Sequence, residues 1–220
     1  MTILRCHQIC QSFRGKRILD NLDLHVEKHQ RVVIMGKSGS GKSLLLRCIL
    51  GLLQPDHGTV FWKNRALNAK RYQKFRSQLG VVFQNSVLFD HLTVWENIGL
   101  ALQYVHRQPV GFIQSRVSEI LDQVDLEKDV MSLFPYQLSG GMQRRVALAR
   151  ALITKPLFWI CDEPTTGLDP ALVESISHLM KNLTQNTTLL TVTHDIQYAQ
   201  IVGTHFYQMH QGRLHEKDLS

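Results

Sequence analysis

The residues able to do chemistry fall into a few short stretches. Gly36-Lys37-Ser38-Gly39-Ser40-Gly41-Lys42-Ser43 has the spacing G-x-x-x-x-G-K-S and lies between a β-branched apolar run at 31–35 and another apolar run at 44–50. Strand, glycine-rich turn and helix form the setting in which this spacing means phosphate binding. The glycines let the backbone curl so that successive N–H groups face one anion, and the start of the next helix adds partial positive charge. Lys42 is then a point charge for the β and γ phosphates, and the Ser43 hydroxyl a ligand for Mg²⁺. Asp162 and Glu163 follow a wholly apolar run at 157–161. One carboxylate there can hold Mg²⁺ through water while its neighbour takes a proton from an attacking water. Gln84 and His194 likewise stand where apolar runs end, at 79–83 and 187–193. Open α/β sheets bind ligands at the C-terminal ends of their strands, so Gln84 is expected to face a nucleotide and His194 its γ-phosphate.

A second anion site is expected at Leu138-Ser139-Gly140-Gly141-Met142-Gln143. A serine N-cap followed by paired glycines leaves helix N–H groups bare. One nucleotide needs one phosphate loop, so Ser139, Gly140 and Gly141 point to a γ-phosphate brought by another copy of the chain. Phe13, in a turn at 11–15, is placed either to stack on an adenine ring or to cover the edge of a β lobe.

The elements that must hold these groups read as follows. Residues 3–10 and 18–26 suggest an antiparallel lobe ahead of the phosphate loop, the second alternating with period two from Leu22 onward. The run 58–62 returns as another antiparallel strand, 69–78 is a basic helix and 79–83 a buried strand. Val87-Leu88-Phe89 are apolar residues in a loop expected to be solvated, which suggests a docking surface. Thr93-Val94-Trp95-Glu96 is a capping box opening a helix to about 105, and a second helix is expected over 112–124. No strand pattern interrupts 90–150, so an all-helical lobe is expected there, inserted into a sheet domain. Asp169 and Pro170 have the residue types of an N-cap and first helical position.

Composition sets the bounds. The chain has 220 residues, 44% apolar and 20% charged, enough for one α/β domain with a sizeable core. It shows neither a signal-peptide apolar region at the start nor a run near the ~18 apolar residues that a spanning helix needs, so any membrane link is expected to go through a partner. Cys6, Cys10, Cys48 and Cys161 form no C-x-x-C pair and read as small buried hydrophobes in a reducing cytoplasm. A formal charge of +7 comes largely from Lys63, Arg65, Lys70, Arg71, Lys74 and Arg76, with a second group at Arg144, Arg145 and Arg150. Apart from Tyr72 and Phe75 no aromatic residues interleave the first group, so a solvated face beside an anionic ligand or lipid headgroups is favoured over a nucleic-acid platform.

Taken together, the phosphate loop, Gln84, LSGGMQ, Asp162-Glu163, Leu168-Asp169 and His194 resemble, in order and spacing, the ATP-binding-cassette ATPase family over nearly the whole chain. The resemblance implies an α/β fold: a P-loop NTPase core with an N-terminal antiparallel β lobe and an inserted α-helical subdomain. That makes 1–220 one ABC ATPase domain, with 1–89 and 151–220 as core and about 90–150 as the helical subdomain. It implies ATP and Mg²⁺ as cofactors and a homodimer sandwiching two ATP molecules. Lys42 and Ser43 of one copy would then face Ser139, Gly140 and Gly141 of the other, with Gly36, Ser38, Gly39, Ser40, Gly41 and Leu44 also binding the nucleotide, Asp169 crossing the interface and Phe13 stacked on adenine. In the same terms Glu163 is the general base, His194 orients γ-phosphate and water, and Ser43, Gln84 and Asp162 serve the metal. Gln84 also couples closure to an integral-membrane permease seated near Gln84 to Phe89, at the cytoplasmic face of the inner membrane, in a system with a substrate-binding protein. Within the family, stretches such as 89–97, 135–139 and 169–173 are similar to bacterial importers of polar amino acids. Met142-Gln143-Arg144-Arg145 and Thr166-Gly167-Leu168-Asp169 look more like lipid-trafficking cassettes. A soluble cassette ATPase acting on nucleic acid or ribosomes is the further alternative.

Overall fold

Two sheets frame the glycine-rich loop in the computed structural model, which describes residues 1–84 and 86–219. In chain order the strands are β1 (Thr2–Phe13), β2 (Lys16–Glu27), β3 (Arg31–Met35), β4 (His57–Trp62), β5 (Arg65–Ala66), β6 (Leu79–Val82), β7 (Phe158–Asp162), β8 (Thr188–Thr193), β9 (His205–His210) and β10 (Arg213–Glu216). The helices are α1 (Lys42–Ile49), α2 (Ala69–Arg76), α3 (Val94–Tyr104), α4 (Val110–Gln123), α5 (Gly140–Leu152), α6 (Pro170–Leu183) and α7 (Ile196–Val202).

The antiparallel sheet has the order β2-β1-β4-β5. Its leading hairpin turns on Arg14 (φ 49) and Gly15 (φ 78). Two consecutive left-handed residues make the kind of two-residue turn whose twist matches that of the strands. Pairing therefore continues through Phe13↔Lys16, and Phe13 is the last residue of β1 rather than part of a turn. The second sheet has the order β10-β9-β3-β8-β7-β6, parallel from β9 through β6 with β10 antiparallel at one edge. Its inner strands are apolar on both faces, as a sheet covered on both sides requires. Two ends differ from the apolar runs in the sequence. The β6–β7 ladder runs from Leu79↔Phe158 to Val82↔Cys161. Phe83 and Leu157 lie just outside it, at 40% and 51% exposure. The strand β7 instead gains Asp162, paired with Val192.

The lobes meet where β2 touches the β9–β10 turn: Asp20 N–H donates to Gly212 O (3.0 Å), and Arg213 Nε and Nη2 donate to Asp20 Oδ2 at 3.0 and 2.7 Å. Those donors, with Arg17, hold the Asp20 carboxyl below its ordinary pKa. The residues of α3, α4 and α5 are joined by turns and short 3-10 segments, with no strand between Val94 and Leu152 among the described residues. At the α3 start the Thr93 N–H and hydroxyl both donate to Glu96 Oε2, at 2.8 and 2.6 Å. Buried Asn97 accepts from Phe89 N–H (2.8 Å) and donates to the Phe89, Leu92 and Thr93 carbonyls, so the loop before α3 is sewn onto the helix.

One apolar core joins the antiparallel sheet and α1 to the parallel sheet through Leu4, Leu24, Ile34, Leu45 and Phe158. A second lies beneath the helices, through Ile98, Val117, Leu148, Trp159 and Tyr198, and a small third one joins Val33, Met35 and Ala199. Trp159 is fully buried, and truncating such a side chain to alanine costs about 3–5 kcal/mol. All four cysteines are free and buried. Burial pushes the Cys6 and Cys161 thiols well up, and Cys48 up to about 11, so they act as packing groups.

The second basic group is not a solvated face. Arg144 is buried against the Phe83, Gln84 and Thr166 carbonyls. Arg145 binds Val124 O, Asp125 and Ser175, and Arg150 binds the Ser86 and Val87 carbonyls. Sequence reports charge, but not which backbone carbonyls the folded chain brings within reach of each side chain.

Candidate active site

The phosphate loop is built around a close approach. Gly41 has φ 105, and a Cβ there would lie 3.1 Å from Leu19 Cδ2 and 3.3 Å from Ile18 O. Only glycine accepts that backbone while letting β2 lie across the loop. Gly41 also opens α1 with no side-chain cap, and no acidic residue stands in the first turn. The first N–H groups of the helix thus remain available to an anion.

Lys42, 5% exposed, donates through Nζ to Gly36 O (2.7 Å) and Lys37 O (3.3 Å) and lies 3.2 Å from Glu163 Oε1. Ser43 Oγ donates to Asp162 Oδ1 at 2.9 Å. Burial pushes the Asp162 carboxyl above its ordinary pKa, and the Ser43 hydrogen bond opposes that shift. Glu163 is the first residue beyond β7 and takes φ 49, an uncommon conformation for a residue bearing a side chain. Its N–H still donates to Val192 O (2.9 Å). Its buried carboxylate is held from two further sides. Glu163 Oε2 accepts from the His194 N–H (3.2 Å), lies 2.8 Å from His194 Nδ1, and has the Thr166 hydroxyl at 3.4 Å.

These groups open onto a cleft of about 630 Å³ lined by Phe13, Ile18, Lys37, Ser38, Gly39, Gly41, Lys42, Ser43, Leu44, Gln84, Glu163 and His194. Asp162 joins it through Ser43. Gly36 and Ser40 do not line the cleft but support the loop from behind. Gly36 gives its carbonyl to Lys42, and a Cβ on it would lie 2.8 Å from the buried Ser40 Oγ. Ser139, Gly140, Gly141 and Asp169 are also absent from the lining. Ser139 and Gly140 are exposed, with the Ser139 hydroxyl accepting from Met142 N–H (3.3 Å). Gly141 packs against Leu172, and Asp169 caps α6 by accepting from Leu172 N–H (3.0 Å).

Ile18 and Lys37 line the cleft without having been singled out from sequence. Lys37 lies inside the glycine motif and could have been included; Ile18 comes from the neighbouring hairpin strand, which only the pairing of β1 with β2 reveals. Thr165 and Asp195 were also unmarked. The buried Thr165 hydroxyl donates to Asp195 Oδ2 (3.0 Å), joining the turn after Glu163 to the residue after His194.

Residues 19–166 match the family model described as ABC transporter. The chain belongs to the ABC transporter family. It is similar to the arginine transport ATP-binding protein ArgV of Corynebacterium glutamicum, 37% identical over 96% of this chain and 87% of that protein. It matches the Fe(3+) ions import ATP-binding protein FbpC of Yersinia pestis at 37% identity over 97% of this chain and 61% of that one. Among solved structures, the dimeric post-hydrolysis ATP-binding cassette MJ0796 bound to ADP and Pi superposes with a TM-score of 0.89, at 33% identity and 99% of both chains. The fold is therefore that of the P-loop ABC ATPases, and this cassette binds and hydrolyses ATP as the nucleotide-binding subunit of a transporter.

Proposed function

We propose that this cassette drives import of a polar amino acid through a separate membrane permease, working as a homodimer with ATP at each of two shared sites. The observation carrying the mechanistic part is the convergence of Lys42, Glu163 and His194 at the cleft: Glu163 lies within 3.2 Å of Lys42 Nζ and 2.8 Å of His194 Nδ1. Without nucleotide the Lys42 ammonium is taken up by two carbonyls and the Glu163 carboxylate. A polyphosphate entering the loop competes for that ammonium and frees Glu163 to accept a proton from water, while His194 keeps the carboxylate oriented and reaches the γ-phosphate. Phe13 offers its half-exposed ring to adenine.

Ser43 and Asp162 offer one hydroxyl and one partly buried carboxylate, and Gln84 lines the same cleft. No group of three His, Cys, Asp or Glu side chains suited to a metal occurs among the described residues. That sparse oxygen set fits Mg²⁺, which keeps several waters and is held by one or two carboxylates together with substrate phosphates. When bound, Mg²⁺ supplies positive charge to the phosphate oxygens.

Ser139, Gly140 and Gly141 lie outside their own cleft, which supports their use by a second copy, with Asp169 beside them at the crossing. A helical subdomain over about 90–150, packed on a core at 1–89 and 151–220 through a shared apolar cluster, accounts for their presentation. The permease is proposed to dock near Gln84 to Phe89, of which Asn85 lies outside the described residues. Val87 and Phe89 are exposed there, and Arg150 joins the Ser86 and Val87 carbonyls to an adjoining groove of about 740 Å³ containing Val81, Val105, Lys70 and Lys74. No described helix is long and apolar enough to cross a membrane; the proposed place is peripheral, at the cytoplasmic face of the inner membrane, with a binding protein supplying solute from the other side.

The amino-acid reading rests on relatives: the arginine cassette is matched over 87% of its length and the Fe(3+) cassette over 61%. A strain lacking this chain is expected to lose uptake of a labelled polar amino acid, with ferric iron uptake and outer-membrane lipid balance unchanged; the reverse pattern would overturn the solute assignment. For the base, Glu163→Gln is expected to lower turnover at least about 100-fold and to accumulate an ATP-bound dimer on size exclusion. Normal turnover by that variant would remove Glu163 from the role.

A further inference from the structure

Among the described residues three charged side chains are buried: Lys42, Glu163 and Arg144. Lys42 and Glu163 pair with each other. Arg144 faces no carboxylate. Its Nη1 donates to Gln84 O (2.8 Å) and Phe83 O (3.2 Å), its Nη2 to Thr166 O (3.3 Å), and its Nε, although buried, has no partner. Burying a guanidinium without a counter-charge is costly, and burial here holds its pKa below the ordinary value. An apolar side chain would fill the same volume without that cost, so packing alone does not explain the residue.

What the guanidinium joins is specific. Gln84 follows β6 and lines the cleft. Thr166 follows β7, and its hydroxyl reaches toward Glu163 Oε2 at 3.4 Å. The two backbone segments leave neighbouring strands, and the guanidinium ties one to the other. Arg144 stands in the second turn of α5, whose exposed start is Ser139-Gly140. One planar fork thus grips both arms of the site from the helix that carries the second anion-binding end, a geometry that a point-charge lysine cannot reproduce.

We propose that Arg144 is a positioning residue: it fixes the Gln84 and Thr166 backbones to α5, sets the placement of Gln84 relative to Glu163, and transmits displacement of the α5 start to the chain's own cleft. The proposal rests on the roles given above to Gln84 and Glu163. Misplacing a catalytic group by an ångström costs up to about 100-fold in rate, so the effect falls on kcat and not on nucleotide affinity.

The test uses the purified chain with Arg144→Met, which keeps length and loses every donor, and Arg144→Lys, which keeps the charge. Arg144→Met is expected to lower kcat at least about tenfold with KM for ATP within about twofold, and Arg144→Lys to recover only part of the loss. In nucleotide-free protein, amide hydrogen exchange at Thr166 and Leu168 is expected to speed up in Arg144→Met, while the α6 amides are unchanged. Wild-type kcat in folded Arg144→Met, a raised KM at unchanged kcat, unchanged exchange, or full recovery by Arg144→Lys would each overturn the proposal. If Arg144→Met does not fold, Arg144→Gln is read by the same criteria. Glu163→Gln is measured alongside: normal turnover there removes the general base, whereas the exchange result still reports on the Arg144 fork.

Discussion

The starts of α1 and α5 are both glycine-rich, lack acidic residues in their first turns, and were both readable as anion sites, yet the fold treats them in opposite ways. At α1 no side chain caps the helix, Gly41 brings β2 hard against the loop, and Lys42 is buried with a carboxylate at 3.2 Å. At α5 the Ser139 hydroxyl already accepts from Met142 N–H, Ser139 and Gly140 face solvent, and neither lines the phosphate-loop cleft. The first is a concave site that can select and hold a polyphosphate by itself. The second is open to solvent, and its proposed use needs another wall supplied from elsewhere. Two helix ends with similar composition differ in enclosure because one has a β hairpin folded over it, while the other packs through Gly141 against Leu172 and leaves Ser139 and Gly140 exposed.

The largest expected effect separates these ends directly. Lys42→Ala removes the buried ammonium and is expected to weaken ATP binding by about 10–100-fold, whereas Ser139→Arg leaves ATP affinity within about twofold but abolishes the ATP-dependent dimer and most turnover. Titration calorimetry and size exclusion on both variants check this; equal loss of affinity in the two would erase the distinction. A smaller effect sharpens what the hairpin contributes. Phe13→Ala is expected to weaken ATP and ADP alike by about 5–30-fold, the size of one lost base-stacking contact, read by fluorescence competition. A change confined to ATP would place Phe13 at the phosphates instead. Smallest is Asp162→Asn in the absence of nucleotide. Because burial raises the Asp162 pKa in the folded chain, its ionised form opposes folding above that pKa, and the penalty disappears once pH falls below the unfolded value. The variant is therefore expected to melt about 1–3 °C higher near neutral pH, a modest gain because solvent partly screens the group. The difference should vanish in acid. A lower melting temperature near neutral pH would show that the Ser43 hydrogen bond outweighs burial.

Much of the site could be read from sequence because its signals are local. The glycine spacing before Lys42 and the apolar runs ending at Asp162 and His194 each compress strand, edge and functional group into a few residues. The capping residues Thr93 and Asp169 were legible for the same reason. What escaped was set by partners distant in the chain. Ile18 enters the cleft only because β2 folds back on β1, and Thr165 meets Asp195 only because β7 and β8 are neighbours. Arg144 and Arg150 were counted as surface charge, since nothing in their own stretch shows that they turn inward to loop carbonyls. Phe83 was assigned to a strand, and Leu157 to the apolar run ahead of Asp162, because such a run does not reveal where its ladder partner stops.

The hairpin lip also bears on the choice of fuel. Phe13 and Ile18 are the side chains that β1 and β2 present to the cleft, and neither carries a hydrogen-bonding group, while the polar lining comes from the phosphate loop and the strand ends. Reading one purine from another requires donors or acceptors aimed at the base edge; an aromatic face offers only stacking, which every base accepts. On the proposed reading the phosphates are inspected closely and the base hardly at all. GTP should be turned over within several-fold of the ATP rate, so the abundance of ATP in the cell, and not the protein's own discrimination, would determine which nucleotide is spent.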